Sequence, residues 1–142
     1  MPGSWICIDA SIVVRLVARP DDHVVLERWD AWLAEGRRLA APTLLFYEVT
    51  NALHRYHRHG WMKEGTVRSA LEAALALPVE LHGDASLHER ALEMATELGL
   101  AAAYDAHYLA LAERLRAEFW TADGKLVRAV GARFDWVRLL GS

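Results

Sequence analysis

The chain has 142 residues, 54% of them hydrophobic and 25% charged, a balance that suits one globular domain around a single core, expected to span residues 1–142. No apolar stretch approaches the roughly 18 to 20 residues of a membrane span, and no basic segment precedes an apolar one at the N-terminus, so a cytoplasmic location is expected. With a formal net charge of -3 the chain as a whole does not attract polyanions, and contact with nucleic acid needs a local basic patch.

Residues 5–9 (WICID) read as a buried strand that finishes on a carboxylate, Asp9, where burial makes a charge costly. Cys7, the lone cysteine, has no internal partner and reads as a small buried hydrophobe. A short helix over residues 12–18 follows and stops at Pro20. Asp21 and Asp22 cap a second helix, whose Val25, Leu26, Trp29, Trp32 and Leu33 recur at helical spacing before Gly36. Trp29 and Trp32 suit core packing or a subunit interface.

Residues 38–41 read as a second strand, with Pro42 and Thr43 opening a third helix that runs over about 44–59 and ends at Gly60. On it Leu45, Val49, Ala52, Leu53 and Tyr56 form one stripe, while Glu48, Asn51 and Arg55 share another. A helix over 63–77, a strand over 78–82 and a helix over 86–98 closed by Gly99 come next, with SLHE at 86–89 fitting a capping box. Asp105 opens a helix that reaches Arg116. A strand over 118–122 then leads into Asp123 and Gly124, and a small helix and a final strand near 134–137 complete the chain.

Short strands alternating with helices predict an α/β fold: a central, mainly parallel sheet of four or five strands flanked by helices. In such sheets functional groups gather beyond the carboxyl ends of the strands. Asp9 and Asp123 each follow a strand, Glu48 lies early in the helix after the second strand, and Asp105 begins a late helix, so four acids are expected to converge on one cleft. Crowded like charges raise one another's pKa and strain the fold unless a cation neutralises them. An all-oxygen donor set favours Mg2+ or Mn2+, and the chemistry such a site suits is phosphodiester hydrolysis. Each acid also has an ordinary structural reading: Asp105 as a helix N-cap, Glu48 as a surface partner of Arg55, Asp123 as half of an Asp-Gly turn.

The stretches IDASIVVRLV, PTLLFYEVTNAL, AAAYDAHYLALAERL and FWTADGKL together resemble the PIN-domain family, particularly the small toxin ribonucleases of VapBC toxin-antitoxin systems. They occur in family order and cover nearly the whole chain. The resemblance implies a PIN-like ribonuclease domain and a Mg2+- or Mn2+-dependent endoribonuclease acting on tRNA, rRNA or mRNA. It assigns Asp9, Glu48, Asp105 and Asp123 to the catalytic, metal-binding set, with Ser11, Asn51 and Thr121 as supporting polar groups. It further implies a homodimer and a cognate antitoxin whose tail covers the acidic groove. Ala10 departs from the Thr of many relatives without touching an expected ligand. The last motif offers a single acid, so a second metal site is expected to be weak or absent before substrate binds.

HRYHRHGWMKEGTVR, residues 54–68, is the best local candidate for contacting RNA: Arg55, Arg58, Lys63 and Arg68 to meet phosphate, Tyr56 and Trp61 to stack on bases. A solvated helix end is its structural counterpart. His54 and His57 lack the further ligands zinc needs, and His107 lies close enough in sequence to Asp105 to approach the cleft. Two other readings compete. A non-catalytic PIN scaffold that binds RNA or protein is disfavoured by retention of all four acids. A haloacid-dehalogenase-type phosphatase is disfavoured by Ser11, where that family carries a second Asp.

Overall fold

The structure, a computed structural model, describes residues 4–141. Five strands, β1 (Trp5–Ile8), β2 (Arg38–Pro42), β3 (Val79–His82), β4 (Glu118–Thr121) and β5 (Val137–Leu139), form one sheet in the order β3-β2-β1-β4-β5. Every pairing is parallel, so the expected mainly parallel sheet is in fact wholly so. Seven helices connect the strands among the described residues: α1 (Ala10–Ala18), α2 (His23–Ala34), α3 (Leu45–Arg58), α4 (Glu64–Leu75), α5 (Ala85–Leu98), α6 (Tyr104–Leu115) and α7 (Gly124–Val130).

The chain builds outward from β1 through β2 to β3, returns through α5 and α6, and then builds the other way through β4 and β5. The direction of growth therefore reverses between β1 and β4, the position in an open α/β sheet where a crevice opens beyond the strand ends. Ile8 pairs with Trp120 there, which sets Asp9 and Thr121 side by side on neighbouring strands.

A sheet covered on both faces has apolar strands throughout. Ile6, Cys7 and Ile8 of β1 and Leu39, Ala40 and Ala41 of β2 are all buried accordingly. Burial pushes the Cys7 thiol up to about 12, so it stays a neutral hydrophobe, as its setting in the sequence implies. Helix α6 is buried along most of its length, with Ala106, Ala110 and Ala112 small enough to admit close packing and Tyr108, Leu109 and Leu111 filling space. Trp29 and Trp32 are core residues, and Trp32 meets Trp120 edge-on at 5.6 Å between ring centroids.

Several boundaries differ from the sequence expectation, each for a local reason. Helix α1 starts at Ala10 because the Asp9 side chain caps it by accepting the Ser11 N–H. Pro42 ends β2 instead of opening a helix: it pairs with His82, and the next N–H, of Thr43, donates to the His82 carbonyl at 2.9 Å. Asp84, not Ser86, caps α5, because its carboxylate accepts the Leu87 N–H while Arg114 grips both oxygens at 2.7 and 3.0 Å. The Ser86 hydroxyl donates to that same carboxylate, so the expected capping box at 86–89 does not form. Helix α6 is preceded by Ala103 at its cap, which leaves Asp105 in the first turn with no capping bond. The last strand begins at Val137, after Phe134 and Trp136 stack at 4.7 Å.

Phe119, fully buried in β4, packs against Tyr108 with centroids 5.8 Å apart. Phe119→Ala is expected to cost about 3–5 kcal/mol of unfolding free energy in a urea titration. Leu92→Ala, at a side chain 66% exposed, is expected to stay within about 0.5 kcal/mol of the parent.

Candidate active site

Beyond the ends of β1 and β4 lies a cleft of about 830 Å³ whose lining includes Asp9, Glu48, Asp105 and Asp123. Asp9 enters from the end of β1, Glu48 from the first turn of α3, Asp105 from the first turn of α6, and Asp123 from the residue before α7. The four acids picked out along the sequence thus face one cavity. They differ in setting: Asp9 is buried at 8% exposure, Glu48 and Asp105 are half-buried, and Asp123 is at the exposed rim.

Asp9 is held by two short relays that start from the backbone after β4. The Ala122 N–H donates to Ser11 Oγ at 2.8 Å, and Ser11 Oγ donates to Asp9 Oδ1 at 2.5 Å. The Asp123 N–H donates to Thr121 Oγ1 at 3.0 Å, and Thr121 Oγ1 donates to Asp9 Oδ2 at 2.5 Å. Because each hydroxyl accepts a backbone N–H, its own proton is directed at the carboxylate, an arrangement that suits an ionised Asp9. Ser11 and Thr121, the hydroxyls flanking the first and last acids, are the side chains that fix its orientation.

Glu48 is held differently. The Tyr108 hydroxyl, from the buried helix α6, donates to Glu48 Oε1 at 2.5 Å, so Glu48 is no surface partner of Arg55. Asp123 caps α7, accepting the Lys125 N–H at 2.9 Å, and Gly124 opens that helix, so the expected Asp-Gly turn gives way to a capping role beside the place of Asp123 on the cleft. Asp105 makes no hydrogen bond of this kind among the described residues. Burial raises its pKa, with a further contribution from Asp123. Its charge in turn adds to the rise that burial imposes on Glu48, and to that on Asp9, whose carboxyl burial pushes up to about 6 in spite of the hydroxyls.

No ion pair reaches any of the four acids among the described residues. Nor do three His, Cys, Asp or Glu side chains form a ready-made metal cage among the described residues. The donor set itself fits a hard divalent cation: all oxygen, with Asp9, Glu48 and Asp105 partly or fully desolvated and no cationic partner among the described residues. Asp9 retains lone pairs beyond the two that accept the hydroxyls.

Asn51 and Arg55 line the cleft one and two turns along α3 from Glu48, as do Tyr56 and Trp61. Arg58, Lys63 and Arg68 are exposed and lie outside the cleft lining, with Arg68 3.6 Å from Glu64. His107 lies in a neighbouring groove, where its Nε2 is 3.0 Å from His88 Nδ1 and its Nδ1 is 2.8 Å from the Ala103 carbonyl. His54 and His57 belong to no metal-binding group among the described residues.

Three residues of the cleft escaped the sequence reading. Tyr108 was detectable as the residue one turn after Asp105 on the same helix. Arg15 and Arg19 were detectable by their i, i+4 spacing after Asp9. Arg15 is consumed structurally, bound to Asp22 through two nitrogens at 2.8 and 3.1 Å and to the Gly141 carbonyl at 2.8 Å. Arg19 and Arg55 form no ion pair among the described residues and remain as the cations of the cleft.

Residues 6–132 match the family profile described as "PIN domain". Ribonuclease VapC3 of Pyrobaculum aerophilum is 28% identical over 121 residues, which is 84% of this chain and 89% of that protein. The crystal structure of PAE2754 from Pyrobaculum aerophilum superposes with a TM-score of 0.66 at 29% identity, over 87% of this chain and 84% of that one. A toxin-antitoxin complex from Klebsiella pneumoniae shares the fold, with a TM-score of 0.61 at 22% identity over 86% of this chain and 89% of that one.

The raised Asp9 pKa has a stability consequence with a definite sign. A carboxyl shifted from its ordinary range near 3.8 to about 6 makes the folded state bind more protons than the unfolded chain between those values. Stability therefore falls as pH rises through that window, by at most about 3 kcal/mol, and the loss is complete above it. With EDTA present, Asp9→Asn is expected to melt higher than the parent at about pH 8, and the gap is expected to close by about pH 4. Equal melting temperatures at both pH values would contradict the assignment of a strained carboxylate.

Proposed function

This chain belongs to the PIN domain family, and on that premise we propose that it is a divalent-metal-dependent endoribonuclease, the toxin of a type II toxin-antitoxin pair, with residues 1–142 as its ribonuclease domain. The observation that carries the reading is the set of four carboxylates around the β1–β4 crevice, which lack a cationic partner among the described residues. The relatedness to Ribonuclease VapC3 supports RNA as the substrate, and the fold shared with a toxin-antitoxin complex supports an antitoxin partner.

In this proposal Asp9, Glu48, Asp105 and Asp123 hold Mg2+ or Mn2+, directly or through water. The chemistry such a cation would supply there is Lewis acidity, which would favour ionisation of a water and offset negative charge on the scissile phosphate. Ser11 and Thr121 keep both Asp9 oxygens oriented, and the Tyr108 hydroxyl does the same for one oxygen of Glu48. Asn51, on the same helical face as Glu48, contributes a neutral donor and acceptor at the mouth of the cleft. Arg19 and Arg55 offset the acidic field that otherwise repels an RNA backbone. Arg58 at the end of α3, Lys63 before α4 and Arg68 on α4 add exposed positive charge outside the cleft. A homodimer in the cytoplasm, inhibited by an antitoxin tail laid over the acidic groove, completes the reading.

Incubation of the purified protein with defined tRNA and rRNA fragments is expected to yield discrete products on a gel in Mg2+ or Mn2+ and none in excess EDTA. Asp9→Asn and Asp105→Asn are each expected to lower the cleavage rate by about 100-fold or more. Cleavage that persists unchanged in EDTA or after Asp9→Asn would overturn the proposal, and tight RNA binding without turnover would favour a scaffold. Thr121→Val, which keeps shape but removes the proton aimed at Asp9, is expected to cost about 10–100-fold in activity or in metal affinity.

A further inference from the structure

The cleft has two unlike ends, and the second has a structure of its own. Helix α3 runs from the acids toward a turn at Gly60, whose φ of +75° is a left-handed conformation that glycine adopts without strain. The Gly60 N–H donates to the His57 carbonyl and the Trp61 N–H to the Tyr56 carbonyl, each at 2.9 Å, so the chain folds back on the helix end. Trp61 is brought back in this way onto Tyr56, and it lines the same cleft as Glu48 and Arg55.

The tryptophan is 69% exposed, a large apolar surface left in water. It is nonetheless fixed. His59 stacks on it with centroids 4.7 Å apart and planes 23° from parallel, and Tyr56 braces it at 5.5 Å with a 60° tilt. Held by His59 and Tyr56, the ring still leaves most of its surface in solvent and open to a flat ligand. Arg55, one residue before Tyr56 and unpaired among the described residues, stands between this ring and Glu48 along the helix.

We propose that Trp61 is a stacking platform for one unpaired base of a single-stranded RNA, a nucleotide or two away from the cleaved bond, with Arg55 on the intervening phosphate. The proposal rests on the ribonuclease reading and names the substrate form it takes. Along α3, Glu48 and Tyr56 are separated by roughly 12 Å of helix rise, so the stacked base is a neighbour of the reacting phosphate. Ring-on-base stacking accepts any base because each has a π face, and it excludes a duplex, whose bases are already stacked. A preformed ring triad suits this ligand better than it suits an apolar protein surface, because Arg55 lies beside it and acidic groups close off the far end of the cleft.

The test is binding, read by fluorescence anisotropy in an Asp9→Asn background that cannot confuse affinity with cleavage. The probes are a fluorescein-labelled single-stranded RNA of mixed sequence, the same RNA annealed to its complement, and a ribose-phosphate chain of equal length with abasic sites. Trp61→Ala is expected to weaken binding of the single strand by about tenfold or more. It is expected to leave the duplex and abasic probes unchanged, while Trp61→Phe retains most of the affinity. Arg55→Ala is expected to weaken the single strand and the abasic chain alike and to reduce the salt dependence by about one phosphate. An equal loss on the abasic chain after Trp61→Ala, or no loss on the single strand, overturns the proposal. So does a change confined to molecular mass in light scattering, which would mark Trp61 as a protein contact. Failure of the parent protein to cut RNA would sink the ribonuclease reading, whereas base-dependent binding through Trp61 would still sustain the platform.

Discussion

A buried carboxylate at the end of a central strand is the constraint around which this protein is arranged. Asp9 lies at the point where the sheet reverses its direction of growth, the one place where a side chain leaving β1 meets groups arriving from β4. Leaving it ionised there is costly, and the structure meets part of that cost through the hydroxyls of Ser11 and Thr121, each of which also accepts a backbone N–H. The same hydrogen bonds tie the start of α1 to the end of β4, so the carboxylate doubles as a structural clamp. What the hydroxyls do not fully offset is the burial itself, to which the charge of Asp105 adds a smaller repulsion that also acts on Glu48. That residual negative charge is what a divalent cation would neutralise, and it is why fold and proposed chemistry meet at one residue.

The supports around the acids grade from rigid to open. Asp9 is buried in a network, Glu48 is tied to Tyr108 on the most buried helix, Asp105 projects from a first turn without a capping role, and Asp123 caps α7 at the rim. Hydrogen bonds thus preorient Asp9 and Glu48, while Asp105 is left to adjust to a ligand. Along α3 the lining then changes sign and character, from carboxylate to guanidinium to aromatic ring. Arg19, Arg55 and the Trp61 ring line the same cleft as the acids, so its field is not uniformly negative.

Much of this was legible in the chain itself. Alternation of short apolar runs with helical stripes specified a parallel α/β sheet, and the apolar runs of β1 and β2 are buried as such a sheet requires. The four acids were legible as strand-end and helix-start residues, as were Ser11 and Thr121 beside them. Local chemistry that depends on a distant partner was not. SLHE has the letters of a capping box, yet Arg114, 28 residues past Ser86 on another helix, fixes Asp84 as the cap. Pro42 looks like a helix opener until pairing with His82 extends the strand through it. His107 follows Asp105 by two residues, but a helix turns about 100° per residue, and the ring points into the groove of His88 instead of the acidic cleft.

The amino-acid sequence by itself determined the periodicities, the glycine stops and the order of the acids, because these are set by residues within a few positions of one another. Only the tertiary structure decided which cations remain available, since Arg15 is captured by Asp22 and Gly141 while Arg55 is left to the cleft. It also decided which hydroxyl serves which carboxylate, as with Tyr108 and Glu48, 60 residues apart. The physical reason is range: a hydrogen bond or ion pair acts over a few ångströms in space, and separation along the chain says nothing about it until the sheet has closed.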